Sequence, residues 1–226
     1  MKNLLSFVAT AMMAGSLTLP AQITNTVVGG GGVVPDNNPS GFASSVTIGP
    51  ASGIDLISGV GVTLNLTGGY NGDLYAYVTH NGSMAILLNR IGTTGSGTFG
   101  FGDPGMSVLF RDENPNIHTF GNGGGFPLTG TFGSDGRFAD PSNLNAVFSA
   151  TPSRFLSTFN NTSANGTWTL FVADLDGGFQ STVSSWTLAV TGVPEPSVNA
   201  AFGIFCGIFA LRQGSNWWKR KTAAHS

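Results

Sequence analysis

The sequence predicts an all-β protein, a two-sheet β-sandwich of jelly-roll type, with a signal helix ahead of it and a transmembrane helix behind it. Three observations lead there. Glycine supplies 34 of the 226 residues, and each glycine in a helix interior costs about 1 kcal/mol relative to alanine. Short apolar runs alternate with polar residues and are separated by breaks rich in Gly, Asn and Pro. Two runs repeat one pattern, Trp168-Thr169-Leu170-Phe171-Val172 and Trp186-Thr187-Leu188-Ala189-Val190, which sets Trp, Leu and Val on one face of a strand.

Taken in order, residues 1–21 carry Lys2 and then an apolar run from Leu4 to Leu19, the pattern of a secretory signal peptide, and predict export. Residues 22–53 hold Gly29-Gly30-Gly31-Gly32 and Pro35-Asp36-Asn37-Asn38-Pro39 and read as a flexible arm with one edge strand at Val46-Thr47-Ile48. No Gly-Lys-Ser/Thr follows the glycines, so they do not form a phosphate loop.

Residues 54–192 read as the sandwich. Val60, Val62, Leu64 and Leu66 alternate along one strand; Gly68-Gly69-Tyr70-Asn71-Gly72 is a hairpin signal leading into Asp73 to His80; Asn81-Gly82-Ser83 turns the chain into Met84 to Leu88. Three strands joined by short turns predict a meander. A glycine-rich stretch follows, with a strand at Met106-Ser107-Val108-Leu109-Phe110 and long surface excursions. Leu144 to Phe148 and Phe155-Leu156 then lead to the two tryptophan runs, which are expected to pair with each other across Asp174-Leu175-Asp176-Gly177-Gly178. Seven or eight short strands result.

Residues 193–226 differ in kind. Val193-Pro194-Glu195-Pro196 stops the last strand, because proline cannot continue a ladder. The uncharged run from Val198 to Leu211 becomes long enough to span a membrane if Arg212 snorkels, with Trp217-Trp218 in the interfacial belt and Lys219-Arg220-Lys221 on the cytoplasmic side.

Charge and cysteine content narrow the function classes. Between positions 22 and 197 eleven acids stand against four arginines, a balance that argues against nucleic acid as a partner. A single cysteine, Cys206, rules out an intrachain disulfide and reads as a small hydrophobe of the apolar tail. His80, His118 and His225 offer no paired zinc spacing, and no serine sits in a Gly-x-Ser-x-Gly elbow. A non-catalytic chain is therefore expected, with His80 at a strand end facing solvent and His118 in a loop.

Calcium is the metal the acids suit, since hard cations take several oxygens from flexible loops. Asp73, Asp112, Asp174 and Asp176 are the candidate ligands, two of them beside turn glycines. The same acids also read as solvated loop residues. Tyr70, Tyr75 and Tyr77 offer rings that could stack on sugars or pack between strands.

Two resemblances add to this. Val193-Pro194-Glu195-Pro196, the apolar helix and the basic cluster together resemble the PEP-CTERM sorting signal of Gram-negative bacteria. The resemblance implies processing by an exosortase, transit anchored in the membrane by the C-terminal helix, and delivery to the cell surface or the extracellular matrix of a biofilm. Gly72-Asp73-Leu74, Leu87-Leu88-Asn89-Arg90, Asn165-Gly166-Thr167-Trp168-Thr169-Leu170 with Asp174, and Ser185-Trp186-Thr187-Leu188 resemble the P domain (P/Homo B) of subtilisin-like proprotein convertases. That family implies a jelly-roll sandwich which, in convertases, stabilises or assists the protease. The expectation is an exported, non-catalytic surface or matrix protein serving adhesion or matrix structure, with polysaccharide or matrix material as partner. The alternative is an accessory or carbohydrate-binding module of a secreted hydrolase system.

Overall fold

The computed structural model describes residues 22–95, 99–123 and 125–194. The expected signal helix, transmembrane helix and most of the sorting signal lie outside them; Val193 and Pro194 end the last strand. Among the described residues no helix is long and apolar enough to cross a membrane.

The chain is mostly β and forms two sheets. Its strands are β1 (Ile23–Gly29), β2 (Gly32–Val33), β3 (Asn38–Ile48), β4 (Ile54–Gly68), β5 (Leu74–His80), β6 (Ser83–Asn89), β7 (Met106–Phe110), β8 (Leu128–Phe132), β9 (Gly166–Asp174) and β10 (Ser181–Pro194). One sheet runs β1-β10-β4-β7-β8, with the two-residue β2 also on β10; the other runs β3-β9-β5-β6. The β7–β8 pair is parallel.

Period-two alternation builds the core between the sheets. Val62, Leu64 and Leu66 of β4 and Trp186, Leu188 and Val190 of β10 bury their side chains from one sheet, while Ala76 and Val78 of β5 and Trp168, Leu170 and Val172 of β9 do so from the other. The Trp186 indole spans the gap and donates to Ser44 Oγ of β3 at 3.0 Å. It lies where a side chain on Gly29 would have to be, so β1 can pass only as glycine there.

Three expectations are corrected. The two tryptophan runs are not a strand pair: β9 lies between β3 and β5, and β10 lies between β1 and β4. They do share one hydrophobic layer, entering it from opposite sides, because residues 175–180 carry the chain across from one sheet to the other. The hairpin at Gly68 to Gly72 is likewise a corner between sheets, so the three-strand meander reduces to the β5–β6 hairpin. Residues 22–53 are no flexible arm; β1 pairs with β10 over seven positions and β3 pairs with β9, so backbone hydrogen bonds hold a segment that has little apolar area to bury. Leu144–Ser149 is a helical turn, capped by Asn143 Oδ1 accepting from the Ala146 amide at 3.1 Å.

Candidate functional site

The β4, β5, β7, β9 and β10 ends that carry Gly68, Leu74, Met106, Asp174 and Ser181 lie together, and the loops joining them form one end of the molecule. The arrangement starts from Gly72. Its amide donates to the Phe101 carbonyl at 2.8 Å, and the neighbouring Asn71 amide donates to the Asp103 carbonyl at 3.0 Å, which lays the 99–103 segment against the 70–73 turn. A Cβ on Gly72 would run into the Phe99 carbonyl oxygen, the Phe101 nitrogen and the Gly100 carbonyl carbon. Gly72→Ala is accordingly expected to lower stability by about 1–3 kcal/mol, the usual cost of overpacking against backbone, as read by urea denaturation. A loss under about 0.5 kcal/mol, the level of ordinary surface changes, would show that the two segments are not held in register.

Arg90 closes the turn from the other side. It has a left-handed backbone (φ 50°), a conformation that costs a non-glycine residue about 1–2 kcal/mol and persists where surroundings over-determine it. Here its amide donates to the Leu74 carbonyl at 2.9 Å and its Nε donates to the Gly72 carbonyl at 2.9 Å. The guanidinium, 4% exposed, then lies between Asp73 at 3.6 Å and Asp176 at 3.4 Å. Next to it Asn89 donates from Nδ2 to the carbonyls of Arg137 and Ala139. Gly72-Asp73-Leu74, Asn89-Arg90 and Asp174, far apart in sequence, thus meet at one clamp, with Trp168 at the other end of β9.

The clamp is short of positive charge. Asp174 is fully buried, and among the described residues its carboxylate accepts long bonds, from the Asp176 amide at 3.4 Å and Ser181 Oγ at 3.5 Å. Asp36 sits over the same loop, accepting from the Gly178 amide at 3.4 Å. Burial pushes Asp73 up to about 6, with Arg90 opposing and Asp174, Asp176 and Asp36 reinforcing. Burial likewise raises Asp174 to about 6, against the bond from the Asp176 amide.

Three of the four acids considered for calcium therefore gather around Arg90. Asp112 stands apart, accepting from Ser134 Oγ at 2.7 Å and the Ser157 amide at 2.6 Å. Among the described residues no three His, Cys, Asp or Glu side chains lie close enough together to hold a metal ion.

Two clefts open beside the clamp on either side of Phe101. One, of about 400 Å³, is walled by Tyr70, Phe99 and Phe101 and floored by Asp73 and Asp176. The second, of about 320 Å³, is lined by Thr93, Thr94, Phe101, His118, Arg137 and Phe148. It contains a constellation absent from the sequence reading. Asp135, fully buried, accepts from Arg137 at 2.8 Å and from the Asn89 amide at 3.1 Å, and lies 2.8 Å from His118 Nδ1. The other ring nitrogen, Nε2, faces the Thr93 carbonyl oxygen at 3.2 Å, an atom that cannot serve as a nucleophile.

His118 lies between β7 and β8, outside the strands as expected, and is buried. His80 is not solvent-facing: it is 2% exposed and stacks flat on Trp168, ring centroids 4.0 Å apart. The tyrosines divide. Tyr77 stacks on Phe171 at 4.8 Å, and Tyr75 packs edge-on against Tyr77 with burial pushing its phenol up to about 12. Tyr70 is 37% exposed at the mouth of the acidic cleft, edge-on to Phe179.

No family model matches the chain, and no curated protein matches it. Two solved structures show similarity at 18% identity: the serine protease of Aeromonas sobria, with a TM-score of 0.44, and the complex of that protease with a chaperone, with a TM-score of 0.43. In both, the match covers 79% of this chain and 28% of the other, so the chain spans little more than a quarter of the length of those it is similar to.

Proposed function

We propose that this chain is an exported, non-catalytic binding module, a P-domain-like jelly roll displayed at the cell surface or in the extracellular matrix for adhesion or matrix structure. The observation that supports it is the division of labour at the loop end. The ionisable groups there are engaged in holding the loops, while Tyr70, Phe99 and Phe179, the last two 65% and 62% exposed, form a contact surface above them. The sorting signal would deliver the module: Val193-Pro194-Glu195-Pro196 for the exosortase, and residues 198–218 for transit through the membrane.

Fractionation of cells expressing the chain, with the mature C-terminus determined by mass spectrometry, tests this reading. Surface or matrix location, and its loss on deleting residues 193–226, are the expected results; a full-length protein retained in the cytoplasm sinks it. The runner-up, an accessory or carbohydrate-binding module of a secreted hydrolase system, rests on Tyr70 at the cleft mouth. Saturable binding on a glycan array, lost in Tyr70→Ala, would favour it.

Calcium belongs to the same proposal with no more than two of Asp73, Asp174 and Asp176 as carboxylate ligands and loop carbonyls or water completing its shell, an ion that would relieve the repulsion among these acids. Arg90 already lies between two of them. On this reading millimolar calcium raises the melting midpoint above that in chelator, and Asp176→Asn reduces the response. An unchanged midpoint removes calcium from the account.

A further inference from the structure

We infer that the cleft walled by Tyr70, Phe99 and Phe101 above Asp73 and Asp176 is a docking site for an arginine side chain presented by a protein partner. The inference rests on reading this end of the molecule as a contact surface, and it names the chemistry of what makes the contact.

Shape comes first. The cleft, about 400 Å³, is open to solvent and has aromatic walls held by backbone hydrogen bonds: Phe101 donates to the Ile91 carbonyl at 3.0 Å and accepts from Gly72 at 2.8 Å. Phe99 stands 65% exposed at its rim, an apolar ring that gains free energy only when something covers it. Aromatic faces carry negative potential and attract cations, most strongly where water is displaced.

Charge points the same way. Asp73 and Asp176 pair with Arg90, Asp174 and Asp36 act on Asp73 from nearby, and among the described residues Arg90 is the one guanidinium acting on them, so the four acids when ionised leave a net charge of three negative units. Asp176 lines the cleft with its side chain 38% exposed, accepting from the Gly177 amide at 3.0 Å through Oδ1 and lying 3.4 Å from Arg90 through Oδ2. A second guanidinium entering there would lie over an aromatic wall while donating to Asp176. Flat faces for stacking and a fork of N–H donors for a carboxylate belong together in arginine, whereas a lysine ammonium can only offer its charge. A metal ion would find no three carboxylates converging on one point among the described residues and would leave the aromatic wall uncovered, which a guanidinium does not.

The test uses the full chain and fluorescein-labelled tetra-arginine, tetra-lysine and tetra-citrulline peptides, read by fluorescence anisotropy at 150 mM salt. Saturable binding of tetra-arginine is expected, with tetra-citrulline, which keeps the shape without the charge, weaker by about tenfold and tetra-lysine in between. Asp176→Asn and Phe99→Ala should each weaken tetra-arginine by about five- to tenfold, while Phe99→Tyr, which keeps the ring, retains binding. Asp55→Asn, an exposed acid at the far end of β4, should change affinity by no more than about twofold at this ionic strength.

Equal affinity for citrulline and arginine peptides, tetra-lysine binding as tightly as tetra-arginine, absence of saturable binding, or an equal loss in Asp55→Asn would each overturn the proposal; the last would mean diffuse attraction to an acidic surface. Phe99 is exposed, so Phe99→Ala is expected to keep the wild-type melting midpoint; Asp176 pairs with Arg90 at 3.4 Å, so Asp176→Asn is compared with wild type at a temperature where its own melting curve shows it folded. Peptide binding is read independently of where the protein resides, so its failure leaves the localisation result standing.

Discussion

Replacing Arg90 with methionine is expected to destabilise the fold by about 3–5 kcal/mol at pH 7.5, the cost of removing one partner from a buried charge cluster, and by far less at pH 5. The pH dependence comes from Asp73 and Asp174. Both have folded-state values raised to about 6 from 3.8, so between those limits the folded chain binds more protons than the unfolded one. Stability contributed by these groups therefore grows as pH falls through 6 toward 4 and is lost as pH rises through 6.

Arg90 lowers both values, so it is worth most where the carboxylates are ionised. At pH 5 Asp73 and Asp174 take up protons in the variant, and what remains is the lost bond from Nε to the Gly72 carbonyl, about 1 kcal/mol, together with the lost partly exposed contact to Asp176. Urea denaturation at the two pH values measures the difference. Equal losses at both would mean that Arg90 acts by packing alone. Asp174→Asn provides the complement: it should raise the stability of the wild-type background at pH 7.5 and flatten the rise toward pH 5.

Much of the strand content was legible in the sequence because alternation is a local property. Leu64 and Leu66, Ala76 and Val78, Trp168 and Leu170 each announce a buried face two residues apart, and each is buried. Pairing is not local. The residues 175–180 could have closed a hairpin; instead they cross between sheets, and Asp174 ends beside Leu74 while Ser181 ends beside Gly68. Nothing in the Trp-Leu-Val pattern tells a strand which neighbour it will have. Residues 22–53 misled for a related reason: β1 and β3 are secured mainly through main-chain ladders to β10 and β9, which leave little mark on composition.

The site was legible in its parts and not in its wiring. Gly72-Asp73, Asn89-Arg90 and Asp174 stood out as segments, but the acids were weighed as metal ligands without the arginine that lies among them. A basic residue next to a strand-ending Asn gives no sign that its backbone is left-handed and its side chain turned inward. The His118–Asp135 contact spans seventeen positions and is made by two loops, so no spacing rule reaches it.

At the opposite end of the molecule, Trp168→Ala is expected to cost about 3–5 kcal/mol, as for a large aromatic truncated inside a close-packed core. The indole is fully buried, donates to the Ala164 carbonyl at 3.1 Å, and carries Phe159 edge-on at 4.8 Å. The His80 ring lies parallel to it, with nitrogens 2.8 Å from the Ser163 carbonyl and 3.0 Å from that of Thr167. Trp168 is thus the plate on which the end of β5 and the turn before β9 are stacked. If that is its role, His80→Ala should cost less once Trp168 is gone, by an interaction energy of about 0.5–1.5 kcal/mol in a double-mutant cycle. Strict additivity would reduce the stack to coincidence. A Trp168→Ala loss below about 1 kcal/mol would be incompatible with an indole fully buried against the His80 ring and Phe159.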